Sequence, residues 1–344
     1  MRLQDGERVT GADGRCPEAA GDLLVAALAI DRIGCLNAME KLRLLDRAPD
    51  VSAVSRLTPR MVREVSARRL RAVPEEPGTL VEAAARERSR LTQLGGGCML
   101  YGSRRYPPLL TAIHDPPFLL YYRGHHPELL ASADHLSVVG TRRPSGAGRR
   151  AAFEVGFQAA RRGATVVSGL ARGVDTEAHR GCVAAGGRTV AVLGTGVDTI
   201  YPASSASVAR SLIAAEGLLL SEYPLGTQPR RHHFPSRNRI ISGLSTTLVV
   251  IQAPEGSGAL ITADHALDQG REVVVHAAGL GDAQCSAGSD ALAADGAHVI
   301  ETAAGARARV SGPVRGDAGV GKRLSRSLQA ELTGASSCYG GDDG

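Results

Sequence analysis

The chain is short of several things, and each shortage excludes something. Its six cysteines (Cys16, Cys35, Cys98, Cys182, Cys285, Cys338) are scattered, with no Cys-x-x-Cys pair among them. That argues against a disulfide framework or a zinc ribbon and makes a reducing cytoplasm the default. The longest early apolar run, Leu23 to Ile30, is too short to span a bilayer. Acidic and polar residues precede it, unlike the basic start of a signal peptide, so neither export nor a membrane anchor is expected. Lysine occurs only at Lys41 and Lys322, leaving arginine to carry almost all the positive charge. A GC-rich coding sequence produces the same bias, so it has no functional weight. The loop Gly140 to Gly146 has no Gly-Lys-Ser/Thr close and is not a P-loop. Gly194-Thr195-Gly196 has Thr199 where a dinucleotide fingerprint needs its third glycine, and no acid is obviously placed for a ribose. Gly-x-Ser-x-Gly is absent, which removes support for a serine hydrolase. The pairs Asp175/His179, Asp264/His265 and His232/His233 each lack a third ligand at useful spacing. No cofactor, metal or catalytic residue is expected.

What remains is ordinary for a globular protein: 344 residues, 43% hydrophobic and 22% charged, with room for two domains. The net charge of +5 leans towards an anionic partner.

Residues 1–20 are Gly-rich and polar and are expected to be flexible. Residues 21–95 read as a small helical domain. Leu24, Ala27, Leu28 and Ile33 fall near one face, Leu36, Met39 and Leu42 continue after a break at Gly34, and further helices are expected over 61–70 and 80–94. Its role is left open between packing or oligomerisation and a direct nucleic-acid contact. The composition shifts at Gly95-Gly96-Gly97. Proline pairs at Pro107-Pro108 and Pro116-Pro117 exclude regular helix from a connector that reaches residue 135, and Phe118 to Tyr122 reads as an edge strand.

From Leu136 strands and helices alternate. Strands are expected over 136–139, 164–167, 189–193, 218–221, 246–251 and 272–275. Helices are expected up to 162, from an N-cap at Asp175, over 204–215, over 259–269 and near 290–295. This pattern predicts an α/β fold with a doubly wound, mostly parallel sheet spanning residues 96–304. The Gly/Ser/Arg loops all fall at the carboxyl ends of strands, where such sheets bind ligands. They supply backbone N–H groups, the hydroxyls of Thr141, Ser168, Ser257 and Thr262, and the guanidinium groups of Arg142 and Arg172, a set suited to phosphate. Residues 305–344 are expected to be mostly flexible apart from a helix near 322–332.

One segment, His232 to Ser245, concentrates the chemistry. Phe234, one of only four phenylalanines, offers a flat face. Arg237 and Arg239 offer planar forks for bidentate phosphate contact, Asn238 between them donates and accepts, and Pro235 suits a helix start. Read functionally, this is an aromatic and two arginines presented at a helix N-terminus to an anion bearing a base. Read structurally, it is a solvated arginine-rich turn. The loop histidines offer additional phosphate contacts.

These blocks, taken in order, resemble the DNA-processing protein A family (DprA/Smf). The resemblance is carried by Tyr106-Pro107-Pro108-Leu109-Leu110, Val138-Val139-Gly140-Thr141-Arg142 and Ser168-Gly169-Leu170-Ala171-Arg172-Gly173-Val174-Asp175. It continues through Ala191-Val192-Leu193-Gly194-Thr195-Gly196, Tyr201-Pro202, Phe234-Pro235-Ser236-Arg237-Asn238-Arg239-Ile240-Ile241-Ser242-Gly243-Leu244 and Ser257-Gly258-Ala259-Leu260-Ile261-Thr262-Ala263. It covers roughly residues 100 to 300. The resemblance implies an extended Rossmann-like core behind a helical domain of the sterile-alpha-motif-like type. It also implies a homodimer that binds single-stranded DNA in a basic pocket and hands the strand to the RecA recombinase in natural transformation, without turnover. By position, Gly140, Thr141, Arg142, Ser168, Gly169, Arg231, Phe234, Arg237, Asn238 and Arg239 should line that pocket. The chain departs from the family at His276-Ala277-Ala278-Gly279, where a Val-Pro-Gly turn is usual, and at Ser289-Asp290, which brings an acid towards the expected rim. No winged-helix domain is expected at the end. Two other readings stand beside this one: a Rossmann-like nucleotide-cleaving enzyme with Glu222 as its acid, and a plain partner-binding module.

Overall fold

The computed structural model of the chain describes residues 17–303 and 305, apart from 75, 132, 133 and 283. The expectations for the first sixteen residues and for the tail from residue 306, including its helix, lie outside the described residues. Two compact units are present. One takes the chain to Arg88 and adds Gly102–Arg104; the other comprises Ser89–Tyr101 and everything described from Arg105 onward.

The first unit is helical: α1 (Pro17–Asp31), α2 (Ala38–Arg47), α3 (Val51–Ser55), α4 (Pro59–Glu64) and the first part of α5 (Leu80–Gln93). Short polar side chains start its helices. Asn37 and Glu40 form a reciprocal capping box on α2, Asp50 accepts from Ala53 N at 2.7 Å, and Thr58 accepts from Met61 N. Leu28, Ile30, Ile33, Leu44, Leu45 and Val62 are fully buried beneath them. The helix expected over 61–70 stops at Glu64. Ser66 explains the stop: its hydroxyl donates to Glu40 at 2.5 Å and accepts from Arg68 N, offering the backbone an alternative to the helical ladder.

The second unit is a three-layer α/β/α sandwich on one nine-stranded sheet. In chain order its elements are β1 (Gly96–Leu100), α6 (Pro108–Thr111), β2 (Leu119–Arg123), β3 (His135–Val139), α7 (Gly146–Arg161), β4 (Thr165–Ser168), α8 (Val174–Ala184), β5 (Thr189–Leu193), α9 (Ala206–Ala214), β6 (Leu218–Ser221), α10 (His233–Gly243), β7 (Thr247–Val250), α11 (Gly258–Asp268), β8 (Glu272–His276), α12 (Ala287–Ala294) and β9 (His298–Ile300). The strand order is β1-β2-β6-β5-β4-β3-β7-β8-β9. From β6 to β9 every pairing is parallel, while β2 runs antiparallel to both β1 and β6. The expected edge strand β2 is therefore interior, because β1 covers it. Helix α6 starts at Pro108, a residue tolerated in a first helical turn, inside the connector expected to have no regular helix.

The parallel strands are short β-branched and leucine runs because both faces are covered. Ala152, Val155 and Ala159 of α7 pack with Val174 and Ala178 on one face of β3, β4, β7 and β8. Ile240 and Ile241 of α10, Leu244 just after it, and Ala259, Ala263 and Ala266 of α11 pack on the other. Strand β3 passes the chain to β4 on one side, while β7 lies on its other side, so winding reverses between β3 and β7. Side chains leaving the carboxyl ends of these two strands share one crevice. Among the described residues, no helix is long and apolar enough to cross a membrane.

Candidate nucleic-acid interface

The crevice at the reversal point opens into a cleft of about 820 Å³. Three loops and two helix starts build it, and each is held by backbone or small-side-chain bonds.

The loop after β3 is pinned across the reversal point. Thr141 N donates to Gln252 O at 2.7 Å, and Val174 N donates to Thr141 O at 3.2 Å. Gln252, buried at the end of β7, accepts from Ser145 N and donates to Ser145 Oγ, both at 2.9 Å. Ser145 caps α7 by accepting from Gly148 N. With both ends of the loop tied down, Arg142 and Arg143 stand exposed on the cleft wall.

The loop after β4 is held from within. Ser168 donates to Val138 O at 2.6 Å, between the strands and away from the cleft. Asp175 does not cap α8, whose N-cap is Gly173. It is the second residue of the helix, and its Oδ2 accepts from Gly169 N and Ala171 N, both at 3.2 Å. This holds the turn in which Leu170 takes the left-handed φ of 56°. From the opposite side Arg237 of α10, only 5% exposed, donates to Gly169 O at 2.8 Å and to Val192 O. A Cβ on residue 169 would stand 2.6 Å from the Arg237 guanidinium, so a larger residue there would push that side chain from its place. Burial pushes the Asp175 carboxyl up to about 6, against the pull of Arg237 and the loop N–H groups. Burial also lowers Arg237 to about 10. His179, one turn further along α8 and fully buried against Thr189, is held neutral by burial and by Arg237, with its pKa lowered to about 3.

These shifts predict a pH effect. His179 contributes stability that is complete above its unfolded value near 6.5 and is lost as pH falls towards 3. Asp175 acts in the opposite direction. Its raised folded value makes the protein gain stability as pH falls from about 6 to about 4, so the two groups offset one another there. Asp175→Asn removes the offset. Its melting temperature should drop more between pH 7 and pH 4.5 than that of the parent chain, by the equivalent of about 2 kcal/mol. Equal drops in the two proteins would refute the assignment.

Helix α10 begins at His233, whose ring stacks on Tyr223 at 4.0 Å and donates from Nδ1 to Gly194 O. Neither His232 nor His233 is among the cleft-lining residues. Phe234 rests on Gly194, where a Cβ would come within 3.0 Å of its ring, and turns its half-exposed face to the cleft. Asn238 donates to Gly258 O, tying α10 to the start of α11. There the Ser257 hydroxyl is shielded from solvent with no hydrogen-bond partner, while Thr262 donates to Gly258 O.

The structure thus brings Gly140, Thr141, Arg142, Arg231, Phe234, Arg237, Asn238, Ser257 and Thr262 together around one cleft. Gly169 and Arg172 line a small recess that adjoins it, and Ser168 lines neither. Arg239 is turned away as well. Its two Nη atoms each sit 2.7 Å from an oxygen of Glu222, and its Nε donates to Asp115 O. The same ion pair occupies Glu222, the acid of the nucleotide-cleaving reading, outside the cleft lining. Asp290 accepts from Ser286 Oγ and Gly281 N and is also outside that lining. The cleft residues not singled out in the sequence include Arg143, Tyr201, Gln284 and Cys285. Tyr201 was visible in its Tyr-Pro motif, but nothing in that motif places its ring beside Phe234.

Among the described residues, Arg142, Arg143, Arg231 and Arg237 face a single cleft carboxylate, Asp175, which Arg237 balances. The fold and site define a Rossmann-like protein with a positively charged crevice, suited to an anion that presents a flat ring. The family model for DNA recombination-mediator protein A matches residues 97–310, and the chain belongs to that family. It is 48% identical over 170 residues to protein Smf of Synechocystis, covering 49% of this chain and 42% of that protein. It is 43% identical over 171 residues to the DNA processing protein DprA of Bacillus subtilis, covering 50% of this chain and 57% of that one. These matches span about half the length of those relatives. Against protein Smf of Borreliella burgdorferi the match is longer, 33% identical over 72% of this chain and 78% of that protein. Among solved structures, DprA from Streptococcus pneumoniae superposes with a TM-score of 0.67 at 30% identity, covering 84% of this chain and 98% of that one. DprA from Helicobacter pylori, described for its single-stranded DNA binding mode, superposes with a TM-score of 0.53 at 29% identity over 58% of this chain and 89% of that one.

Proposed function

We propose that this chain binds single-stranded DNA in the cleft between the ends of β3 and β7. It shelters the strand and loads the RecA recombinase onto it in natural transformation or recombination, acting as a cytoplasmic homodimer without turnover. The observation that carries the reading is the convergence of exposed Arg142, Arg143 and Arg231 with the half-exposed ring of Phe234 in one cleft. Guanidinium groups hold phosphates, and an aromatic face holds a base whatever its identity. Bases offer their faces only when unstacked, so such a cleft selects a single strand over a duplex. The described relative from Helicobacter pylori supports the ligand class.

Fluorescence anisotropy with labelled oligo-dT and a duplex of equal length tests this. Tight single-strand binding that weakens steeply between about 50 and 200 mM salt is expected, with the duplex clearly weaker. No single-strand binding at low salt would sink the reading. The loading step has its own readout: RecA ATPase activity on a strand coated with single-strand binding protein should start sooner when this protein is added, and an unchanged lag would remove that part.

A further inference from the structure

The β5–α9 loop carries the second aromatic of the cleft wall. Tyr201 is 47% exposed, which makes it one of few large apolar side chains so open among the described residues. Its ring centroid lies 5.4 Å from that of Phe234, with the planes tilted by 43°. The gap is too narrow and too splayed for a base to slide between the rings. Each ring therefore offers its own outer face.

The loop that presents Tyr201 is fastened on several sides. Thr195 Oγ1 donates to Thr199 O at 2.6 Å, and Ser221 Oγ donates to Thr195 O at 2.6 Å. Gly196 N donates to Thr227 O at 3.1 Å, while Asp198 accepts from Gly226 N at 2.8 Å. Ile200, the preceding residue, packs on the cluster under α9. Nothing comparable covers Tyr201 itself. A ring held out on a fastened loop has already lost most of its freedom, so contact with a ligand costs little further ordering.

Beside this ring lies the small recess, about 40 Å³, lined by Arg142, Gly169, Ala171, Arg172, Tyr201, Pro202, Phe234 and Arg237. That volume is a few times the space one water needs and far below that of a base. Arg142 and Arg172 reach it as exposed cations, while Arg237 is spent on carbonyls. The recess has the size and charge for one phosphate group and sits next to both rings.

We propose that Tyr201, Arg142 and Arg172 form a second nucleotide subsite, next to the one on Phe234. A base stacks on Tyr201, and the phosphate joining it to the neighbouring nucleotide enters the recess. The subsite rests on the single-strand reading above and deepens it: the minimal ligand is a dinucleotide step with two unstacked bases. The loop after β5, which carries Tyr201, is fastened to the loop after β6, which leads into α10 and Phe234.

A crossed series of proteins and oligonucleotides tests this. Tyr201→Ala should weaken oligo-dT binding about five- to 100-fold and leave the salt slope unchanged, because no phosphate contact is removed. Tyr201→Phe should recover most of that loss. Arg172→Gln should instead lower the salt slope, by no more than about 0.7, because Arg142 shares the same phosphate. Short oligo-dT strands with one abasic position moved along them provide the decisive arm. At the position that sits on Tyr201, the abasic lesion should weaken the parent protein and add nothing further in Tyr201→Ala. If lesion and substitution are additive at every position, or if Tyr201→Ala binds like the parent, the subsite is wrong. Phe234→Ala and Arg231→Ala, measured in parallel, separate the two claims. Should these also leave binding unchanged, the single-strand reading itself fails; should they weaken it while Tyr201→Ala does not, only the second subsite falls. Thermal melts of all variants exclude misfolding as the cause.

Discussion

Arg142→Ala combined with Arg231→Ala should lower the affinity for oligo-dT at least 100-fold at low salt and flatten the salt dependence. Both guanidinium groups are exposed on the cleft wall, and no hydrogen bond or ion pair within the described chain engages either one. Each neutralised phosphate contributes about 0.7 to the slope of log affinity against log salt for a single strand, so the double variant should lose about 1.4. Charge-assisted contacts of this kind are worth roughly 1.5–3 kcal/mol each, which gives the expected loss for the pair. The loss should be the same for different base sequences, because phosphate contacts carry no sequence information. The fold should be untouched, since neither side chain supports a loop. Anisotropy titrations at several salt concentrations, with thermal melts alongside, are the check. An unchanged slope would show that the strand runs elsewhere.

Arg237→Met should have the largest effect on stability. The guanidinium is buried and joins three elements: it holds the loop after β4 through Gly169 O, the end of β5 through Val192 O, and its charge balances Asp175 on α8. Removing the guanidinium leaves a buried carboxylate without its counter-charge and two carbonyls without their donor, which costs about 3–5 kcal/mol. For a unit of this size that is a fall in melting temperature of about 10 °C. Asp175→Asn combined with Arg237→Met should be less destabilised than the sum of the two single variants, because the stranded charge is gone. DNA affinity should fall too, through a loosened Gly169 turn rather than through a lost phosphate contact, so the salt slope should stay near its parent value. A stability loss below about 1 kcal/mol in Arg237→Met would show that the clamp does not hold the loops.

Arg237 and Arg239 show where sequence reading reaches its limit. Two residues apart on one helix, chemically identical and flanked alike, both read as forks for phosphate. In the structure neither fork is open: one is folded inward onto carbonyls, and the other is closed on Glu222. Which partner an arginine finds depends on segments 17 to 124 residues away in sequence, and no local pattern encodes them. Tyr201 is the converse. Its motif was plain, but its place beside Phe234 exists only once the loops after β5 and β6 are tied together. Strand β1 is not legible in the sequence because Gly96 and Gly97 are poor strand formers on their own. They serve there because the partner backbone at Tyr122 comes too close to admit a side chain at residue 96.

What the sequence determined by itself was the architecture of the second unit and the edge on which its candidate site lies. Apolar runs such as Leu136 to Val139 and Thr189 to Leu193 are strands because each is buried on both faces. The helices between them carry one apolar face each, and parallel order then places every Gly/Ser/Arg loop at the strands' carboxyl ends. These are local patterns with a fixed period, and a period can be read along a chain. The tertiary structure decided which of the candidate cations face the cleft and which brace it. That choice is made by burial and by long-range partners: a guanidinium out of water must satisfy its donors on whatever carbonyl or carboxylate the fold brings near, and only those left in water, Arg142, Arg143, Arg172 and Arg231, remain open to a ligand.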